Sequence, residues 1–263
     1  MRVRPAAVAG LFYPAEASAL REQVEEFLGS CAEPSSTVPK LVIVPHAGYV
    51  YSGAVAACAY ALVAPRRGTI TRVVLLGPAH HVGVRALAAP EADAFETPLG
   101  RVPLDRTVLA ALDGLPQLVL DDRPHAREHS LEVQLPFLQV ALGAFALVPF
   151  VAGAAEAAEV AQLLERLWGG DETVIVVSSD MSHYLPYDRA REIDRATAAR
   201  ILALDAALDP DQACGAAPVN GALLAARAHG LCPRLLALRN SGDVTGDRRR
   251  VVGYGAFAFE ART

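Results

Sequence analysis

Three apolar runs that each close on a histidine or an aspartate constrain this chain most. They are Leu41-Val42-Ile43-Val44-Pro45-His46, Val73-Val74-Leu75-Leu76-Gly77-Pro78-Ala79-His80-His81, and Val174-Ile175-Val176-Val177-Ser178-Ser179-Asp180-Met181-Ser182-His183. Four or five consecutive apolar residues, mostly β-branched, read as strands buried on both faces of a parallel or mixed sheet. In open α/β sheets, ligands bind just beyond the carboxyl ends of the strands. Three strands releasing His or Asp at that edge therefore predict one shared site, although its outermost groups lie over a hundred residues apart.

The rest of the chain supports a layered α/β architecture. Helical periodicity is predicted over Ala17–Leu28, Ser52–Val63, Ala155–Trp168, Asp188–Leu204 and Pro218–His229. Strand-like runs fall near 41–45, 72–77, 117–120, 145–151, 173–178, 234–238 and 251–259. Their alternation argues for one α/β domain over residues 1–263. Pro34–Pro39 reads as a loop from helix to strand, and 88–103 as an irregular excursion from the sheet. Gly253 and Gly255 lie inside the last strand run, where glycine marks a bulge or the close approach of a neighbour.

Composition excludes several classes. The formal net charge of -5 and pI near 5.8 argue against an electrostatic nucleic-acid binder. The basic run Arg248-Arg249-Arg250 reads as a solvated turn. Hydrophobic residues make up 52% of the chain, yet no apolar run reaches the roughly 18 residues a membrane span needs. No signal-length apolar segment follows Met1-Arg2, so a soluble, cytoplasmic protein is expected. The four cysteines show no CxxC spacing, and a disulfide framework is not expected. Cys58 reads as a small buried hydrophobe, while Cys214 or Cys232 remains open as a reactive thiol.

Five segments bear chemistry. His46 follows the first strand and can bind a divalent metal or move a proton near neutral pH; a loop histidine bonded to backbone is the ordinary alternative. Ser52 is placed to cap the next helix. His80 and His81 point to opposite sides of an extended stretch, so one of them faces a given site. Asp180 and His183 share a face if their segment turns helically, and helix capping is the alternative role for Ser179 or Asp180. His129 and Glu132 have the same spacing and suit a pocket wall or an outer support for a ligating histidine, or simply a polar helix start. Asp243 could complete a set of two histidines and one carboxylate; a polar turn is the alternative. His125 and His229 are expected to be exposed. No nucleotide-binding fingerprint, P-loop or GxSxG is present.

Six segments in order carry a family resemblance: Ala9-Gly10-Leu11-Phe12-Tyr13-Pro14, Pro45-His46-Ala47-Gly48-Tyr49, Gly77-Pro78-Ala79-His80-His81, Glu128-His129-Ser130-Leu131-Glu132, Ser178-Ser179-Asp180-Met181-Ser182-His183 and Ser241-Gly242-Asp243. Together they make the chain similar to the Memo family, whose prokaryotic members are often labelled AmmeMemoRadiSam system protein B. The resemblance implies a single-domain, three-layer α/β/α fold with a central mixed, largely parallel sheet, like class III extradiol dioxygenases. It implies His46 and His80 as metal ligands and His183 as acid/base or a further ligand, with Asp180 as the neighbouring catalytic carboxylate. His81, His129, Glu132 and Tyr49 would line or support the pocket. The animal relative resembles this site but uses a cysteine as third ligand, in the segment matching 240–247. This chain has none there, so Asp243 or Asp180 would take its place. The implied cofactor is a divalent metal, iron first, with zinc or copper as alternatives. The implied role is redox or accessory, on a small-molecule substrate or a partner protein. A non-haem Fe(II) dioxygenase-type enzyme and a zinc hydrolase are the alternatives.

Overall fold

The computed structural model describes residues 1–31 and 38–261. The expected loop at Pro34–Pro39 falls mostly outside the described residues. Strands β1 (Val3–Arg4), β2 (Leu41–Val44), β3 (Arg72–Pro78), β4 (Leu87–Ala89), β5 (Ala94–Thr97), β6 (Gly100–Pro103), β7 (Leu118–Leu120), β8 (Ala146–Ala152), β9 (Thr173–Ser178), β10 (His183–Leu185), β11 (Cys232–Asn240) and β12 (Val251–Glu260) form two sheets.

The large sheet runs β10-β12-β2-β9-β3-β8-β4-β7, with β11 also paired to β12. Its centre, β2-β9-β3-β8, is parallel throughout, whereas β12 and β4 join antiparallel on either side. The β2 and β9 residues are buried without exception. That explains why these strands read as continuous apolar runs rather than as alternating patterns. The small sheet orders β1-β5-β6. Residues 88–103 are thus not an irregular excursion but supply most of β4 together with β5 and β6. These strands are three or four residues long, too short to register as a run, and pairing rather than propensity makes them.

Helices cover both faces, completing three layers. Ala157–Leu167 and Ala216–Ala228 pack against each other, and the latter lies on the central strands. Helices α1 (Ala17–Ser30) and α2 (Tyr49–Val63) pack together with Leu135–Leu142 as the other group. In Ala157–Leu167 the buried residues Val160, Leu163, Leu164 and Leu167 follow helical spacing, and Glu156 with Glu159 forms a capping box at its start. Truncating Leu163 there would cost about 3 kcal/mol. Helix α2 starts at Tyr49, three residues before Ser52, whose hydroxyl donates to Ala47 O instead of capping.

Gly253 in β12 provides the close approach that its place in a strand suggested. A Cβ there would stand 2.1 Å from Asp194 Oδ2. Its backbone exchanges hydrogen bonds with Met181 N and Ser182 O, while Asp194 Oδ1 accepts from Ser182 N at 3.0 Å. The segment carrying Asp180 and His183 is thereby clamped against the sheet. It is not helical: His183 opens β10, so the expected shared helical face does not exist.

Candidate metal centre

The three strand ends converge. His46, His80, Asp180 and His183 all line one cavity of about 1100 Å³ beyond the carboxyl ends of β2, β3 and β9. His129, from the short helix His129–Glu132, joins them. The ring nitrogens of His46, His80 and His129 offer donor atoms within 4.8 Å of one another. The His80 and His129 rings stack with centroids 4.6 Å apart, and His46 lies edge-on to both, at 5.2 and 5.4 Å.

Hydrogen bonds fix how two of these rings present themselves. Ser178 Oγ lies 2.6 Å from Ser130 O, and a carbonyl only accepts, so the serine proton points there. The Ser178 oxygen in turn accepts from Gln134 Nε2 at 2.9 Å. Gln134 is oriented by Tyr60, whose hydroxyl donates to its Oε1, and by its own bond to Pro45 O. His46 Nδ1, 2.9 Å from Ser178 Oγ, must therefore donate its N–H. The lone pair is left on Nε2. In the same way His80 Nδ1 lies 2.8 Å from Glu128 Oε1, and donation to that carboxylate commits Nδ1, so a metal would meet Nε2. Glu128 also accepts from His80 N and Ser130 N. Burial would raise the Glu128 carboxyl, but its bonds and charge interaction with His80 outweigh this and hold it well below the usual range. Outer groups that pin one nitrogen of a histidine in this way orient metal ligands.

Burial favours the neutral form of several cavity groups. Burial, reinforced by His129 and His80, lowers His46 well below the ordinary imidazole value. Burial lowers His129 to about 4 despite Glu128 and lowers His183 as well. Asp180 accepts from His46 N at 2.7 Å, yet burial pushes its carboxyl up to about 7. Among the described residues, the cavity lining contains no lysine or arginine.

One cavity group was legible only as an open thiol. Cys214 precedes the helix Ala216–Ala228 and sets its Sγ 3.3 Å from His46 Nε2, where Asp180 N also donates to it at 3.3 Å. Burial, then the nearby Asp180 charge, pushes this thiol up to about 12. A cysteine thus reaches the cavity from a segment away from 240–247. Glu128, quoted in the motif, carried no signal of its role beyond its neighbour His129.

Other expected groups lie elsewhere. Asp243 is not brought to the cavity, because Oδ1 accepts from Tyr187 and Oδ2 from Asn240 N in its own turn. Glu132 faces away and accepts from Arg4, Tyr13, Ala7 N and Val8 N. The Tyr49 hydroxyl donates to Val133 O in the core. His81 is exposed, 6.1 Å from the His129 ring, and is not part of the lining. His125 is buried rather than exposed, its Nε2 at 3.0 Å from Ala88 O, while His229 is exposed as expected.

Fold and site together define a mixed α/β protein with a three-histidine cluster that could hold a metal ion at the carboxyl edge of its sheet. Residues 4–258 match the family described as Memo-like protein. A MEMO1 family protein, MK0963 of Methanopyrus kandleri, is 40% identical over 97% of this chain and 98% of its own length. MEMO1 family proteins of Aquifex aeolicus and Sulfolobus acidocaldarius are 36% and 35% identical, each over 98% of this chain and at least 99% of their own. The chain belongs to the Memo family. Among the described residues, no helix is long and apolar enough to cross a membrane.

Proposed function

We propose that this protein binds one divalent metal, iron foremost, through His46, His80 and His129, and uses it in a redox or accessory role. The observation that carries this reading is the pair of pinned imidazoles. His46 and His80 each spend Nδ1 on an acceptor, which leaves Nε2 as the atom to meet a metal, with the Cys214 thiol beside that of His46. Burial lowers His46 and His129, which favours metal binding, since ligation needs the unprotonated ring. Cys214 Sγ, beside His46 Nε2, is a further donor and suits a softer ion. A bound iron would supply Lewis acidity and one-electron chemistry. His183, neutral and half-buried on the cavity wall, is placed to accept a proton from a bound hydroxyl group. Asp180 holds the His46 backbone and offers a carboxyl on the same wall.

The size of the cavity supports a second reading, a dioxygenase-type enzyme acting on an organic substrate. Phe12, Tyr51 and Tyr254 give it aromatic walls, and a space this large accommodates a small aromatic molecule beside a metal.

Metal analysis of protein purified without added metal tests the proposal. Wild type should carry close to one equivalent, and the His46→Ala/His80→Ala double variant almost none. Equal stoichiometry in both would overturn the metal site. Oxygen uptake by anaerobically Fe(II)-loaded protein with catechols separates the readings: turnover supports the enzyme, while metal binding without turnover leaves the accessory role. A zinc-only preparation with esterase activity would instead point to hydrolysis.

A further inference from the structure

A pair of cysteines lies between the first two helices. Helices α1 and α2 approach closely where Phe27 lies on Gly53, since a Cβ at Gly53 would stand 2.5 Å from the Phe27 ring. One turn further along both helices, Cys31 at the end of α1 and Cys58 within α2 bring their sulfurs to 3.0 Å. Cys58 is therefore not simply the buried apolar residue its Ala-rich surroundings suggested. Both cysteines are partly exposed; as a thiol Cys58 donates to Ala54 O at 3.3 Å, a bond given up when it ionises. The contact between the sulfurs, helped by the Arg239 charge, holds the Cys58 thiol down while Cys31 is pushed up. A thiolate beside a second thiol is the arrangement of a reactive dithiol.

We propose that Cys31 and Cys58 form a reversible dithiol/disulfide site that exchanges with small-molecule disulfides. The Cys58 thiolate attacks one sulfur of the reagent, forming a mixed disulfide and releasing the first small thiolate. Cys31 then gives its proton to the released small thiolate and attacks the Cys58 sulfur, expelling the second small thiolate, which takes a proton from water. Two protein thiols are oxidised to one disulfide, and one reagent disulfide is reduced to two thiols. Bond formation needs only about 1 Å of sulfur movement, toward the ~2.05 Å of an S–S bond. The crosslink joins residues 27 apart, restrains the unfolded chain and fastens α1 to α2.

Full-length protein equilibrated in glutathione buffers of increasing oxidised fraction tests this. Of the four thiols, two should disappear, with one 31–58-linked peptide on non-reducing mapping. The Tm should rise by about 5 °C and return on reduction. Cys31→Ser should stop at a mixed disulfide on Cys58. Cys58→Ser should give neither the linked peptide nor rapid mixed-disulfide formation. Retention of all four thiols in oxidised glutathione overturns the proposal, as does a linkage through Cys214 or Cys232. Faster glutathionylation of Cys58→Ser than of Cys31→Ser would overturn the assignment of Cys58 as attacking thiolate.

Discussion

Glu128 and Glu132 stand one helical turn apart, are both buried, and serve opposite regions of the molecule. Glu128 reaches the cavity residue His80 and pins its ring through Nδ1. Glu132 turns inward, and Arg4, Tyr13 and two backbone N–H groups of the N-terminal segment satisfy it. The first carboxylate orients a cavity imidazole while the second ties one end of the chain to the core. A buried charge is tolerated only when paired and hydrogen-bonded, so it is the partners that assign the role. Arg4 makes the difference, since it also donates to the carbonyls of His125 and Glu128.

Breaking the structural member should have the largest effect. Glu132→Ala leaves the Arg4 guanidinium buried without its carboxylate, which costs about 4 kcal/mol. Urea unfolding should show a lower midpoint, with metal binding retained in the fraction that stays folded. A loss of metal affinity at unchanged stability would reverse the assignment.

Another buried carboxylate, Asp194, sharpens the contrast because it accepts from Ser182 N and, among the described residues, has no ion-pair partner. Burial raises it from its ordinary value to about 6. A raised carboxyl stabilises the fold while protonated, fully so below the unfolded value near 4, and that contribution is lost as pH rises through about 6. The stability of wild type relative to Asp194→Asn should therefore fall between about pH 4 and pH 6.5, by on the order of 2 kcal/mol. Parallel pH–stability curves for the two proteins would contradict this.

Glu128→Gln should give the smallest change and the most selective one. The amide keeps an acceptor for His80 Nδ1 but removes the charge, so metal affinity should drop about tenfold. The Tm should stay within a few degrees of wild type. Equal affinity would mean that His80 needs no such support.

The sequence announced the central strands because burial on both faces leaves a continuous β-branched run, and no other local signal is as strong. It could place His46, His80, Asp180 and His183 at one edge because each follows such a run directly. Cys214 follows no strand, and only the packing of the helix Ala216–Ala228 brings it beside His46. Asp243 looked equivalent to a ligand by residue type, but Tyr187 and the turn at Asn240 claim both its oxygens. His125 lacked any motif and was read as exposed, whereas it is buried, its carbonyl accepting from Arg4 and its ring lying against Phe95 and Ala88 O. In each case a partner distant in the chain decided, and such partners leave no periodic trace.

Anaerobic Fe(II) titration of single variants tests the central claim most directly. Metal binding at His46, His80 and His129 predicts that alanine at any of the three lowers affinity at least tenfold, while Asp243→Ala binds as wild type does. Wild-type affinity in His129→Ala together with loss in Asp243→Ala would contradict the three-histidine centre.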